Sequence, residues 1–334
     1  MAHTRATRGY ARGVSKTSSQ QSPADAYGPV GRSEWMDIDW QQHMRWVKVE
    51  DRWMNLVDIG EGPIALFIHG LSGSWQNWLE NIPFFARDHR VIAVDLPGFG
   101  ESEMPVEKIS ISNYADTVDA LLDVLEVNEP VRLIGNSMGG FIGAELAIRY
   151  PARIERLVLV AAAGLSVETI RTQRQEGLRH RAENIAFFNI GWFASRSPAI
   201  TRRPRLRSAV LLLVTAHPDR LPSPLTYEQV KGSGKEGFSD ALEALCNYPI
   251  RSRLAKIECP TFIVWGDKDR LVPLKDASVF EELIDDSRKV IYKDTGHLTM
   301  LERPARFNAD VHEFLLEEPG ERKPDESDAS TVAT

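Results

Sequence analysis

Apolar residues along this chain fall into short runs, separated by stretches in which they recur three and four positions apart. Met44–Ile59 alternates apolar and polar residues and is interrupted at Glu50–Asp51, so an antiparallel hairpin is expected there. Ile64–Ile68, Val91–Val94, Val131–Ile134, Leu157–Val160, Thr261–Trp265 and Lys289–Tyr292 read as further strands. Gly73–Arg87, Tyr114–Leu125, Met138–Tyr150 and Pro304–Leu316 read as helices. Short strands that are apolar on both faces and alternate with helices belong in a mostly parallel sheet covered on each side. The expected class is therefore α/β and doubly wound.

One stretch breaks this rhythm. Between Gly164 and Pro260 no segment has a convincing strand pattern, and a loop of that length would be exceptional, so an inserted helical subdomain is expected. Within it, Ser208–Thr215 reads as a buried helix and Lys231–Gly237 as a flexible loop. The latter lacks the glycine spacing and the Ser/Thr of a phosphate loop. The ends, residues 1–33 and 317–334, are polar and aperiodic and read as disordered tails. The resulting plan is a core over 34–164, a helical insertion over 165–255 and a second core part over 256–316.

With 334 residues, 43% of them hydrophobic, the chain has enough apolar surface for one large domain plus an insertion. A net charge of −7 argues against a general nucleic-acid-binding surface. Cys246 and Cys259 show no CxxC spacing, which gives no support to a disulfide framework or zinc ribbon. No apolar stretch reaches membrane-spanning length. Arg5, Arg8 and Arg12 precede no apolar segment, so no secretory signal is read and a cytoplasmic location is expected.

The sharpest chemical signal is Gly135–Asn136–Ser137–Met138–Gly139–Gly140, which follows an apolar strand and opens a helix. A strand-to-helix turn this tight needs small residues beside the serine, and it raises the hydroxyl to the carboxyl edge of the sheet. A serine hydroxyl needs a base, and His297 in Asp294–Thr295–Gly296–His297–Leu298 follows a strand at that same edge. The base needs an acid to fix its tautomer. Asp269, in Gly266–Asp267–Lys268–Asp269, lies deep enough in its loop to turn back toward His297, whereas Asp267 and Asp294 read as turn residues. An oxyanion needs fixed donors: the backbone N–H of Met138 and that of Leu71, in the His69–Gly70–Leu71 loop. The ring of His69 is expected to bond its own loop and shape that hole.

With these residues in place, the chain resembles the α/β-hydrolase fold family. The resemblance rests on His69–Gly70, Asp95–Leu96–Pro97–Gly98–Phe99–Gly100–Glu101–Ser102, Gly135–Gly140, Gly266-x-x-Asp269 with Pro273, and Gly296–His297 followed by Glu302 and Pro304. It implies an eight-stranded sheet, the insertion as a cap above the site, nucleophile Ser137, acid Asp269, base His297 and oxyanion donors Leu71 and Met138. It also makes Asp95–Ser102 a structural loop. Position 137 is Ser where members that open epoxides or displace halide carry Asp, which leaves acyl transfer to water as the default. The elbow is similar to that of hydrolases that cleave carbon–carbon bonds in ring-fission products, and to haloperoxidase-like esterases. The former commonly carry Trp directly after the catalytic His, whereas position 298 is Leu.

The expected activity is hydrolysis of a carboxylic ester with an apolar acyl or alkyl group, with no cofactor and no metal. Carbon–carbon bond hydrolysis, acyl transfer to another acceptor and ligand sensing stand as alternatives on the same scaffold. Phe187, Phe188 and Trp192 in the insertion are candidate substrate contacts, with packing of the cap onto the core as the competing role. Nine arginines between 171 and 207 read first as a solvated basic face. Contact with an anionic substrate group or weak contact with a membrane surface are their other uses.

Overall fold

The computed structural model describes residues 25–165, 203–232 and 234–318. Eight strands form one sheet: β1 (Met44–Val49), β2 (Arg52–Ile59), β3 (Ile64–Ile68), β4 (Arg90–Val94), β5 (Val131–Asn136), β6 (Ile154–Val160), β7 (Thr261–Gly266) and β8 (Ser287–Tyr292). Their order is β1-β2-β4-β3-β5-β6-β7-β8. The β1–β2 hairpin turns at Glu50–Asp51 with Val49 opposite Arg52, and β2 pairs antiparallel with β4. The remaining pairings are parallel.

The period-2 geometry of strands sorts the core. Leu66 and Ile68 of β3, Leu133 of β5 and Leu157 and Leu159 of β6 face one side. Ala65, Phe67, Ile134, Val158 and Val160 face the other. The first side is covered by α2 (Ile111–Val124), α3 (Met138–Arg149) and α7 (Lys275–Leu283), the second by α1 (Ile82–Phe85) and α9 (Pro304–Leu316). In α2 the Oγ of Ser110 accepts the Asn113 amide at 3.0 Å, capping a helix whose buried residues recur at Ile111, Tyr114, Ala115, Val118, Leu121 and Leu122.

Several expectations need correction. Gly73–Arg87 is not one helix but a 3-10 turn at Trp75–Trp78 followed by the four-residue α1. Pro83 is the cause, since it lacks an N–H and is tolerated only in a first turn. Residues 25–33 are not a disordered tail: the Gly28 amide donates to the Glu302 carbonyl at 2.7 Å, and Arg303 Nη1 donates to the Asp25 carbonyl at 2.6 Å. The helix expected over Ser208–Thr215 runs instead over α4 (Pro204–Leu211), after which the chain turns inward. The insertion continues through α5 (Ser223–Lys231) and α6 (Phe238–Asn247). The end of the Lys231–Gly237 stretch is docked rather than free, with the Gly237 amide donating to the Gly98 carbonyl at 3.1 Å. Phe187, Phe188, Trp192 and most of the arginine cluster lie outside the described residues. The last short helix of the core is α8 (Thr299–Glu302). Among the described residues no helix is long and apolar enough to cross a membrane.

Candidate active site

β5 ends at Asn136 and α3 begins at Met138, so one residue makes the turn. That residue, Ser137, has φ 54° and ψ −115°, a conformation disfavoured for any side chain and held here by its surroundings. Its amide donates to the Val160 carbonyl at 2.8 Å, and its carbonyl accepts from the Phe141 and Ala163 amides, each at 3.1 Å. The turn closes only because neighbouring backbones come near. A Cβ on Gly139 would stand 2.2 Å from the Ile68 carbonyl oxygen, and one on Gly70 would stand 3.0 Å from the Ser137 Cβ. The loop after β3, which carries Leu71, is thereby pressed against the elbow. Met138 occupies the first turn of α3, where amide protons have no intrahelical acceptor.

Asp269 and His297 meet at the same carboxyl edge, beyond β7 and β8. His297 Nδ1 lies 2.8 Å from Asp269 Oδ2, with side-chain exposures of 3% and 0%. The other carboxylate oxygen, Oδ1, accepts from the amides of Leu271 at 2.8 Å and Val272 at 2.9 Å. The acid is thus held by its own loop, and Nε2 of His297 is left for another partner. The side chain of Asn136 spans this region, donating to the Val160 carbonyl at 3.1 Å and the His297 carbonyl at 3.4 Å. Asp267 and Asp294 do not compete for the histidine. The Asp267 carboxylate accepts the Thr295 amide at 3.4 Å, and that of Asp294 bonds His217 Nε2 at 2.7 Å.

His69 is fully buried with both nitrogens engaged: Nδ1 donates to the Gly70 carbonyl at 2.7 Å and Nε2 accepts the Leu96 amide at 3.0 Å. Burial pushes its pKa down to about 4. A neutral ring with both edges occupied shapes its loop and transfers no proton. Asp95 is likewise structural. It accepts from Asn55 Nδ2 at 2.9 Å, the Trp75 amide at 2.8 Å and the Glu101 amide at 2.9 Å.

Four participants escaped the sequence reading or were noted without a role: Asn136, Val214, Tyr27 and Glu302. The Val214 carbonyl accepts both the His297 amide at 3.0 Å and the Leu298 amide at 3.1 Å. Arg270 Nη1 donates to the Leu212 carbonyl at 2.7 Å. The insertion is therefore tied by backbone to both loops, an arrangement that backbone carbonyls leave invisible in side-chain identities. Glu302 is buried, and burial raises its pKa. A charged residue ending the short turn Thr299–Glu302, next to two apolar residues, was the available signal.

One group of possible metal donors exists among the described residues, Asp88 with His89 and His312. It sits at the opposite, amino edge of the strands, just before β4. Arg132 Nη1 donates to His89 Nε2 at 3.0 Å, which places the ring proton on Nδ1, facing Asp88 Oδ1 at 2.6 Å. His312 Nε2 meets Asp88 Oδ2 at 2.6 Å. Two imidazoles share one carboxylate there, and Nδ1 of His89 presents no lone pair to a cation.

Comparison with known proteins agrees with this fold. The profile of the alpha/beta hydrolase fold matches residues 63–304. The chain is 33% identical over 280 residues to 2-hydroxymuconate semialdehyde hydrolase of Pseudomonas sp. strain CF600, covering 79% of this chain and 90% of that one. It is 26% identical over 260 residues to a mouse monoacylglycerol lipase, ABHD6, covering 77% of this chain and 76% of that one. The solved structure of the meta-cleavage product hydrolase CumD from Pseudomonas fluorescens IP01 superposes with a TM-score of 0.65 at 26% identity, over 81% of this chain and 97% of that one. The strand order, the serine turn between β5 and α3 and these matches together place the chain in the α/β-hydrolase fold family.

Proposed function

We propose that the protein is a serine hydrolase that cleaves a carboxylic ester with an apolar acyl or alkyl group. The observation that carries this reading is the buried 2.8 Å contact between His297 Nδ1 and Asp269 Oδ2, at the sheet edge that also bears the strained Ser137. Asp269 holds the proton of His297 on Nδ1, so Nε2 is the basic nitrogen. Nε2 takes the proton of Ser137 as its Oγ attacks the ester carbonyl. The amides of Leu71 and Met138 stabilise the oxyanion, aided by the amino end of α3. His297 then protonates the leaving alcohol. Water attacks the acyl-enzyme by the reverse sequence and frees Ser137.

The insertion forms a cap over this centre. The bonds from Val214 to His297 and Leu298, and that from Asn77 Nδ2 to Gln229 Oε1 at 2.7 Å, support that placement. Carbon–carbon bond hydrolysis is the second reading, favoured by the 33% identity to a semialdehyde hydrolase. Leu298, in place of the Trp expected in that group, speaks for the ester.

The test is labelling of the wild type and Ser137→Ala with a fluorophosphonate probe, beside a chain-length panel of p-nitrophenyl esters and a ring-fission product. Labelling and ester turnover that both vanish in Ser137→Ala are expected. Faster turnover of the ring-fission product would move the second reading to the front. An unlabelled, inactive wild type would overturn both.

A further inference from the structure

Residues 25–28 lie upstream of the stretch matched by the family, yet they bond Glu302 and Arg303, which follow the loop that carries His297. Tyr27 Oη donates to Glu302 Oε2 at 2.6 Å and accepts the His217 amide at 2.8 Å. The hydroxyl therefore has a donor on one side and an acceptor on the other, which fixes its direction. Its ring is edge-on to His217 at 5.3 Å, with the guanidinium groups of Arg220 and Arg303 over it at 5.4 and 5.1 Å.

Glu302 collects more than Tyr27. Its Oε2 also accepts the Ala216 amide at 2.8 Å, and the Gly296 amide is shared between Oε1 at 3.0 Å and Oε2 at 2.9 Å. Gly296 immediately precedes His297. Ala216 and His217 belong to the segment whose Val214 carbonyl receives the His297 amide. One buried carboxylate thus joins the N-terminal segment, the inner end of the insertion and the backbone of the base.

We propose that Tyr27 is a positioning residue that holds the His297 loop and the inner end of the insertion in register through Glu302. The inference rests on His297 being the base. Without the hydroxyl, the buried Glu302 loses one of three donors and the partly buried His217 amide loses its acceptor, and the carboxylate, having no exposure to solvent, bears the larger cost. The loop then relaxes, and a small displacement of a base is felt in the chemical step.

Tyr27→Phe keeps the ring between the two arginines and removes only the hydroxyl. Expected is a fall of about tenfold in kcat and in the Ser137-dependent fluorophosphonate labelling rate, with KM within about twofold. Leu122→Ala, in α2 and away from the site, is the control for lowered stability. It is expected to lower the melting temperature and leave the labelling rate unchanged at a temperature where both variants are folded. Wild-type kcat and labelling in Tyr27→Phe, or an equal loss in Leu122→Ala, would overturn the proposal while leaving the serine-hydrolase reading intact. A wild type that shows no Ser137-dependent labelling would overturn that reading and this inference with it.

Discussion

Asp269 turns one oxygen to His297 Nδ1, at 2.8 Å, and the other to two amides of its own loop, those of Leu271 and Val272. This division of labour makes Asp269→Asn a sharp test. The two amides are donors, so the asparagine oxygen stays with them and its NH2 faces His297. Nδ1 must then accept, the ring proton moves to Nε2, and the base can no longer take the proton of Ser137. Ester turnover is expected to fall by about 10³- to 10⁴-fold, while the melting temperature moves little. A loss below about tenfold would mean that Asp269 does not fix the tautomer.

His69 carries a pH signature distinct from catalysis. Its ring is buried with both nitrogens bonded, and its pKa is lowered from 6.5 to about 4. The unfolded chain therefore takes up a proton at higher pH than the folded one. The stability from neutral His69 is present above about pH 6.5 and drains away as pH falls to about 4, amounting to about 3 kcal/mol. Asp95, raised to about 6 by burial, has the opposite slope over much of the same range. The wild-type curve alone would hide the effect, so the difference between wild type and His69→Gln is the informative quantity. Urea midpoints from pH 8 to pH 4 should show the advantage of the wild type shrinking. A constant difference would show that His69 does not stay neutral.

The features legible in the sequence were those written in side chains or in local pattern. The hairpin at Glu50–Asp51, the buried strands, α9 and the Ser137 turn each carry such a signature. Asp269 is preferred to Asp267 by its depth in the loop and to Asp294 by the nearness of that residue to His297 in sequence, and the three side chains do go to different partners: His297, the Thr295 amide and His217. What stayed illegible depends on tertiary proximity. The Val214 carbonyl has no sequence signature, and Tyr27 gains its meaning only from a carboxylate 275 positions away. The breakdown of Gly73–Arg87 was legible in Pro83, whose effect on a helix interior is local.

Two glycines of α3 separate a backbone contact from a side-chain contact. A Cβ on Gly139 would lie 2.2 Å from the Ile68 carbonyl oxygen and 2.6 Å from that of His69, both backbone atoms of the strand and loop it packs on. A Cβ on Gly143 would lie 2.5 Å from Leu133 Cδ2, the end of a side chain that can rotate. Gly139→Ala is expected to cost about 3 kcal/mol or more and to disturb the serine turn. Gly143→Ala should cost less, since the gain in helix propensity, about 1 kcal/mol, offsets part of the crowding. Denaturant midpoints check the order, and a reversed order would contradict the proposed packing.

Glu145, on the helix that follows Ser137, has a fully buried side chain. Arg253, just before β7, donates to both its oxygens at 2.8 and 3.0 Å and also to Tyr248 Oη at 2.8 Å. Bidentate geometry makes the pair strong, but desolvation of the carboxylate opposes that gain, so its net worth is far below the cost of breaking it. Arg253 is 30% exposed, so water softens the effect and places removal of its charge at about 2–3 kcal/mol. Arg253→Met should therefore destabilise by about that amount, because it leaves the buried charge of Glu145 with the Tyr248 hydroxyl and no cation beside it. Glu145→Met combined with Arg253→Met should recover most of the loss, since no buried charge then lacks a partner. A double variant as unstable as the single one would mean that the pair contributes net stability, contrary to this account.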